Sequence, residues 1–306
     1  TLAVPHHPGG DEKIRATARW LTPGGPAACA AAQITRLGGT AAFAGALGDD
    51  AFAALLREAL AAENIELESL VTWSGHPTPL AAIIVKPDGA RSVVSHRSAP
   101  ENPPPPAAQL PLARVVLADG HRPEWTDTIV AHALACRAPL VIDAGSLTAA
   151  TRKLAAAADH LVASEAYARA ALSDRDPAEI ADWTPLGAPP DATVVVTLGE
   201  RGLLWRHAGE RGHLPAFTVN ACDTTGAGDA FHGTYAWGLA RGLALPEILH
   251  LASACGALAC TRPGAWTSLA TRAELERFLA LTTPILTETT VSLPTYRSLS
   301  SDAHRR

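Results

Sequence analysis

Residues 139–164, "PLVIDAGSLTAATRKLAAAADHLVAS", place an alanine-rich helical pattern between two short apolar strand patterns. Both strand patterns are almost continuously apolar, which is typical of strands buried on both faces of a sheet. Similar strand patterns lie at 114–119 and 193–199, and helical patterns alternate with them. The alternation predicts an α/β protein with three layers, α/β/α, around a mostly parallel central sheet.

Polar side chains follow these strand patterns. Asp119, Asp143, Ser164 and Thr197 each stand where an apolar run ends. Open α/β sheets bind ligands beyond the carboxyl ends of their strands. We therefore expect the functional site at this edge of the sheet.

Two segments read as a small β-sheet outside the main body. In residues 13–21, "KIRATARWL", apolar and polar residues alternate as in a half-exposed strand. Residues 80–96 hold two short strands around a turn at 87–89, where proline presets the backbone and glycine accepts positive φ. We expect a β-sheet lid formed by 13–21 and about 80–95, within one domain over residues 1–281, and a polar C-terminal tail over 282–306.

Composition favours a small-molecule partner. The formal charge of −5 arises from 30 acidic and 25 basic residues without long runs of one sign, which argues against nucleic acid and membrane surfaces. No run approaches the roughly 20 apolar residues of a membrane helix. The five cysteines are scattered and form no C-x-x-C pair. They indicate a reducing, cytoplasmic setting.

The stretch "DTTGAGDAFHG", residues 223–233, places glycines at the start of a helix that we expect from about Ala227 to Gly242. Unpaired N–H groups and the helix dipole attract anions there, and glycine lets a phosphate approach the backbone. Asp229 is a candidate to accept a proton from an attacking hydroxyl. The alternative is that Asp229 only stabilises the helix dipole. A dinucleotide-dependent oxidoreductase is disfavoured because Phe231 stands where the third fingerprint glycine would be.

These residues resemble the C-terminal signature of the ribokinase, or pfkB, family of carbohydrate kinases. "PGGPAACAAAQITRLGG" with "GALGDDAFAALLREAL" resembles the family's N-terminal signature, and "VTLGERGLLW" resembles its nucleotide-binding strand and turn. "ASACGALACTRPGA" is similar to its adenine-side helix and following loop. The resemblance covers about residues 5–280 and implies a ribokinase-like kinase domain that transfers the γ-phosphoryl group of ATP to a sugar hydroxyl.

The resemblance also implies residue roles. Asp229 would be the catalytic base, and the N–H groups of Gly226, Ala227 and Gly228 would hold the charge on the phosphate. The residues implied for the nucleotide and its magnesium ion are Thr197, Gly199, Gly202, Ala254, Ala257 and Glu165. The two glycines fit ordinary turns as well, and the two alanines fit plain core packing. A potassium site near the "TRPGA" loop is also implied.

Three departures from the family pattern stand out. Where relatives carry Asn-x-x-Glu to orient magnesium-bound water, this chain has Ser164-Glu165-Ala166-Tyr167, so we expect Glu165 to substitute as the metal-side residue. The sugar-side Gly-Gly-Asn is here Gly24-Gly25-Pro26. Residues 1–12 show no strand pattern and no aspartate where relatives grip the sugar, and we expect the natural chain to be longer at its N-terminus.

The substrate-side residues are most similar to those of sulfofructose kinase-like members, which act on ketoses. Besides Gly24 and Gly25, this likeness implies that Lys13 on the lid meets the anionic end of the sugar. His121 and Arg122 are further candidates, with solvated surface as the alternative for both. The family also implies a homodimer through the lid. A catalytically silent sugar- or nucleotide-binding relative remains the alternative function.

Overall fold

The computed structural model describes residues 1–87, 91–96, 105 and 110–282. The strands are β1 (Leu2–Ala3), β2 (Ala18–Arg19), β3 (Gly45–Leu47), β4 (Leu70–Thr72), β5 (Leu80–Val85), β6 (Arg91–His96), β7 (Val116–Ala118), β8 (Leu140–Ala144), β9 (His160–Ser164), β10 (Thr193–Thr197), β11 (Leu203–His207) and β12 (Glu210–Leu214). The helices are α1 (Pro26–Arg36), α2 (Ala51–Ala62), α3 (Thr126–Cys136), α4 (Ala149–Ala155), α5 (Glu165–Ala171), α6 (Ala227–Ala240), α7 (Leu245–Cys260) and α8 (Arg272–Thr282).

The main sheet has six strands in the order β12-β11-β10-β9-β8-β7. Strands β7 to β10 are parallel, and β11 and β12 continue the sheet antiparallel at one edge. The strands expected from the apolar runs are therefore confirmed. In the register of β9 and β10, Ser164 lies opposite Thr197, so the polar residues at these carboxyl ends are neighbours.

Helices cover both faces of this sheet, which explains why its strands are apolar throughout. Leu161 points to the face covered by α4 and α5, where it packs with Leu154. Its neighbour Val162 points to the other face and packs with Tyr235 of α6. Each buried aliphatic side chain stabilises the fold by about 1.5–3 kcal/mol. The predicted three-layer α/β/α architecture is confirmed.

The lid is a separate four-stranded sheet in the order β2-β1-β5-β6. The hairpin of β5 and β6 agrees with the sequence, although residues 88–90 of its turn lie outside the described residues. The expectation of no strand in residues 1–12 was wrong, because Leu2–Ala3 pair with both β2 and β5. The strand predicted for 13–21 is limited to Ala18–Arg19, since β1 offers it only two partner residues.

The predicted tail falls almost wholly outside the described residues, which end at Thr282 in α8. A short parallel pair, β3 and β4, forms a third sheet. Within the described part of the chain, no helix combines the length and apolarity needed to cross a membrane.

Candidate active site

The turn that the sequence predicts to bind an anion, called the anion-binding turn below, begins at Gly226, the residue before α6. Its φ is 84°, in the left-handed region that favours glycine. A Cβ on Gly226 would lie 2.6 Å from the Cα of Ala265, so the following loop packs directly behind this turn. At Gly228 a Cβ would meet nothing within 4 Å, and the residue is exposed. The first turn of α6 therefore has open space beside its backbone, as an approaching anion requires.

Asp229 occupies the first turn of α6, where it is partly buried. Burial and the carboxyl group of Asp143 raise the pKa of Asp229 to about 6. His232 and a hydrogen bond with the Cys29 thiol oppose part of this increase. A carboxyl group with a pKa near the working pH accepts a proton readily and is still largely ionised at pH 7.

The sheet-facing side of α6 carries a buried contact that sequence reasoning missed. Nε2 of His232 lies 3.4 Å from Oδ1 of Asp143, the polar residue of β8. Both side chains are about one-tenth exposed or less. Burial raises the pKa of Asp143, while the charge of His232 opposes the increase. The two residues are 89 positions apart in the chain, so no local sequence pattern predicts this contact.

Asp119, at the carboxyl end of β7, connects the sheet to the start of α1. Its Oδ2 accepts a hydrogen bond from the Ala27 amide (3.3 Å), and its Oδ1 accepts one from the His121 amide (2.9 Å). Burial acts to raise the pKa of Asp119, but His121 outweighs this effect and the pKa is lowered. Gly24 and Gly25 are exposed just before α1, so this corner faces solvent.

The three candidate anion-binding side chains differ in their surroundings. The ring of His121 is exposed, with Nδ1 3.0 Å from Oδ2 of Asp119. Arg122 instead donates to the carbonyl of Ala46 in β3 (2.9 Å), which ties its guanidinium to the protein. Lys13 is exposed but lies in irregular backbone ahead of β2, so its placement on a lid strand was wrong.

The predicted nucleotide turn lies at the carboxyl end of β10. Thr197 ends the strand, and Gly199–Arg201 form a single 3₁₀ turn. Gly202 is required by the turn itself, because a Cβ there would lie 2.0 Å from the carbonyl oxygen of Leu214. At Gly199, with φ of 60°, the same position is open. Close packing therefore explains why residue 202 is glycine, whereas Gly199 remains accessible to solvent.

Glu165 begins α5 directly after β9, beside this turn. Its Oε1 accepts hydrogen bonds from Nε of Arg169 (2.9 Å) and from a guanidinium nitrogen of Arg201 (2.8 Å). These contacts lower the pKa of Glu165, with the Arg169 hydrogen bond as the largest cause. Its side chain remains 31% exposed, so an ionised carboxylate still contacts solvent next to the predicted nucleotide turn.

Helix α7 lies against the anion-binding turn. A Cβ on Gly256 would come within 3.3 Å of the Ala227 carbonyl, so the two helices approach closely there. Ala254 is fully buried in the core shared with α1, which supports the core-packing alternative for this residue. Ala257 is partly exposed on the same helix.

The segment before α6 is fixed by Asp223 and reached by the lid. The buried Asp223 carboxylate accepts hydrogen bonds from the amides of Gly264 (2.8 Å) and Thr225 (2.9 Å). Arg91, the first residue of β6, donates to the hydroxyl of Thr224. Sequence reasoning did not single out Arg91, because only the folded hairpin brings it to the glycine turn.

Comparisons with known proteins identify the family of this chain. The family model described as pfkB family carbohydrate kinase matches residues 2–272. This chain is a pfkB family carbohydrate kinase. Fructokinase from Escherichia coli is 31% identical over 290 residues, which cover 83% of this chain and 91% of that protein. A solved ribokinase from Thermotoga maritima aligns with a TM-score of 0.74 at 25% identity, and the alignment covers 91% of this chain and 95% of that one.

A further solved structure has the same fold. The ribokinase from Arabidopsis thaliana was solved in complex with ribose and ATP. It shares the fold, with a TM-score of 0.74 at 24% identity over 91% of this chain and 94% of that one. As a pfkB family carbohydrate kinase, this chain is an ATP-dependent sugar kinase, a phosphotransferase that acts on an alcohol group.

Proposed function

We propose that this kinase phosphorylates a ketohexose, either fructose or a derivative such as 6-deoxy-6-sulfofructose, with Asp229 as the general base. The observation that carries the proposal is the raised pKa of Asp229, about 6, on a helix turn with open space at Gly228. Fructose is favoured as the parent sugar because the curated relatives include fructokinases from bacteria and plants.

In this mechanism the attacking hydroxyl loses its proton to Asp229 as its oxygen bonds to the γ-phosphorus of ATP. The bond to the β-phosphate oxygen breaks, and ADP leaves. The N–H groups of Gly226, Ala227 and Gly228 stabilise the charge on the transferring phosphoryl group. The lid supplies the guanidinium of Arg91 to the same turn.

The position of Glu165 fits an indirect contact with magnesium, through water molecules bound to the ion. Magnesium usually keeps several water ligands and binds mainly through substrate phosphates and one or two carboxylates. The carboxylate of Glu165 stays ionised at the nucleotide turn, but two guanidinium groups already occupy its Oε1. We infer that Glu165 accepts hydrogen bonds from magnesium-bound water. When bound with ATP, the ion would neutralise phosphate charge.

The sugar end is assigned to the corner formed by Gly24, Gly25 and His121. His121 is exposed and held by Asp119, so it offers a donor to a hydroxyl or a sulfonate. Lys13 is exposed in the segment that precedes the lid strand β2, and its charge would favour a sulfonate. Arg122 would first have to release the carbonyl of Ala46.

Three further proposals concern potassium, assembly and location. A potassium ion near the "TRPGA" loop is supported by the buried hydroxyl of Thr225, which has no hydrogen-bond partner among the described residues. The amide of Thr225 and the amide of Gly264 in that loop both donate to Asp223. A homodimer through the lid is supported by its apolar exposure, with Val93 53% and Val94 67% exposed. Static light scattering tests the dimer, and a monomer at micromolar concentration would contradict it. A cytoplasmic location is supported by five free cysteines.

The deciding experiment measures sugar-dependent ADP release with magnesium across fructose, sulfofructose, ribose and nucleosides, with and without potassium. We expect one ketose to give the highest kcat/KM and Asp229→Asn to abolish its turnover. A preference for sulfofructose that Lys13→Gln removes would identify the derivative. Highest activity on ribose or a nucleoside would contradict the ketohexose assignment.

A further inference from the structure

The ring of His232 is held between the helix of the proposed base and the sheet. It lies three residues after Asp229 on α6, and it is 6% exposed. Its Nδ1 is 2.6 Å from the carbonyl oxygen of Gly228, within the anion-binding turn. Its Nε2 is 3.3 Å from the carbonyl oxygen of Val162 in β9 and 3.4 Å from Oδ1 of Asp143 in β8. One side chain thus links the first turn of α6 to two strands.

The partners of this ring are all oxygen atoms of carbonyl or carboxyl groups. A neutral imidazole donates at one nitrogen and accepts at the other. Here Nδ1 faces a backbone carbonyl, and Nε2 faces a second carbonyl together with a carboxyl group. Carbonyl oxygens only accept hydrogen bonds, so an imidazolium with two N–H donors satisfies both sides. A buried charge of this kind needs a counter-ion, and Asp143 is placed to provide it.

The same pair is among the titratable groups that face Asp229. Those groups are Asp143 on β8, Asp119 on β7, Cys29 on α1 and His232 on α6 itself. His121 in turn faces Asp119 and Asp143. Asp229, Asp143 and Asp119 therefore bring three carboxyl groups close together, and the imidazole of His232 is buried on the helix that carries the base.

We propose that His232 is a positioning residue, an imidazolium paired with Asp143 that fixes the anion-binding turn on the sheet and sets the basicity of Asp229. The inference rests on the proposed role of Asp229 as base. Without the positive charge, the carboxylate of Asp143 would repel the ionised form of Asp229 without compensation. Asp229 would then become protonated at a higher pH.

The test measures the pH profile of kcat/KM in a double-mutant cycle. The quantity compared is the acid limb, the pH at which kcat/KM falls on the acid side. His232→Gln retains a hydrogen-bond donor but no charge, and we expect it to move the limb upward by about one pH unit. Adding Asp143→Asn removes the uncompensated carboxylate, and the limb should return towards that of the wild type. If the pair instead shared one proton as a neutral couple, His232→Gln would leave the limb in place, and the proposal would be overturned.

His160→Gln is the matched control. His160 is mostly buried and contacts the hydroxyl of Tyr235 on the same helix α6 (2.9 Å). Burial lowers the pKa of His160 to about 4, so its ring is neutral at the assay pH and its replacement removes no charge. The limb should not move in this variant. An equal shift in both variants would indicate a packing effect on α6 and overturn the electrostatic proposal.

A second readout does not depend on turnover. Nitrogen NMR of ¹⁵N-histidine-labelled protein at pH 7.5 reports the protonation of each ring, and the signal missing in His232→Gln assigns the residue. We expect both ring nitrogens of His232 to be protonated, and a neutral ring would overturn the proposal. If the wild type phosphorylates no sugar, the proposed function fails, while this spectrum still tests the charge of the pair.

Discussion

Replacing the proposed base by asparagine should stabilise the protein while removing its activity. Burial raises the pKa of Asp229 from 3.8 to about 6, so ionising this group costs more in the folded chain than in the unfolded chain. Two pKa units correspond to about 3 kcal/mol. Asp229→Asn removes that cost at neutral pH and should raise the free energy of unfolding by up to ~3 kcal/mol.

The pH dependence gives the sign of the effect. A raised carboxyl pKa favours the folded state at low pH, where the group is protonated, and this advantage is lost as the pH rises through 6. The gain from Asp229→Asn should therefore be about 1 kcal/mol near pH 4.5 and about 3 kcal/mol at pH 7.5. Urea unfolding at both pH values measures it, with exposed Asp191→Asn as the control. A variant less stable than the wild type at pH 7.5, or a gain independent of pH, would refute the reasoning.

Three further predictions concern the kinase site. In the wild type, kcat/KM should be level above about pH 6 and fall tenfold per unit below it, because the base must be ionised; a limb centred near pH 4 would contradict the raised pKa. Gly226→Ala should destabilise the fold by about 1–3 kcal/mol, since its Cβ would strike Ala265 at positive φ, whereas Gly228→Ala should leave the melting temperature within about 2 °C and weaken ATP turnover. Arg91→Gln should lower kcat at least tenfold without changing stability, and unchanged kinetics would show that its contact with Thr224 has no role in turnover.

The sequence predicted the parts of this protein that are encoded locally. Continuous apolar runs predicted β8 and β10. These strands are apolar throughout because helices cover both of their faces. The glycine turn before α6 was equally visible, since backbone approach and positive φ both require glycine. β1 could not be predicted, because two residues show no periodicity and their pairing depends on β5, about 80 positions later.

The charged environment of the base was also hidden from the sequence. Asp143 was recognised as the end of a strand, but its contact with His232 depends on how α6 crosses the sheet. Similarly, Glu165 was assigned to the metal side from its position alone, while its ion pairs with Arg169 and Arg201 appear only in the fold. Long-range contacts of this kind set pKa values, and a linear pattern does not reveal them.

The most direct test of the central claim is transfer of the labelled γ-phosphoryl group of [γ-³²P]ATP to fructose and to 6-deoxy-6-sulfofructose, with wild-type protein and Asp229→Asn side by side. The account predicts a labelled sugar phosphate with the wild type, and at least a hundredfold less with the variant. Labelled sugar formed equally by both proteins would contradict the role of Asp229, and label released only as inorganic phosphate would contradict sugar as the acceptor.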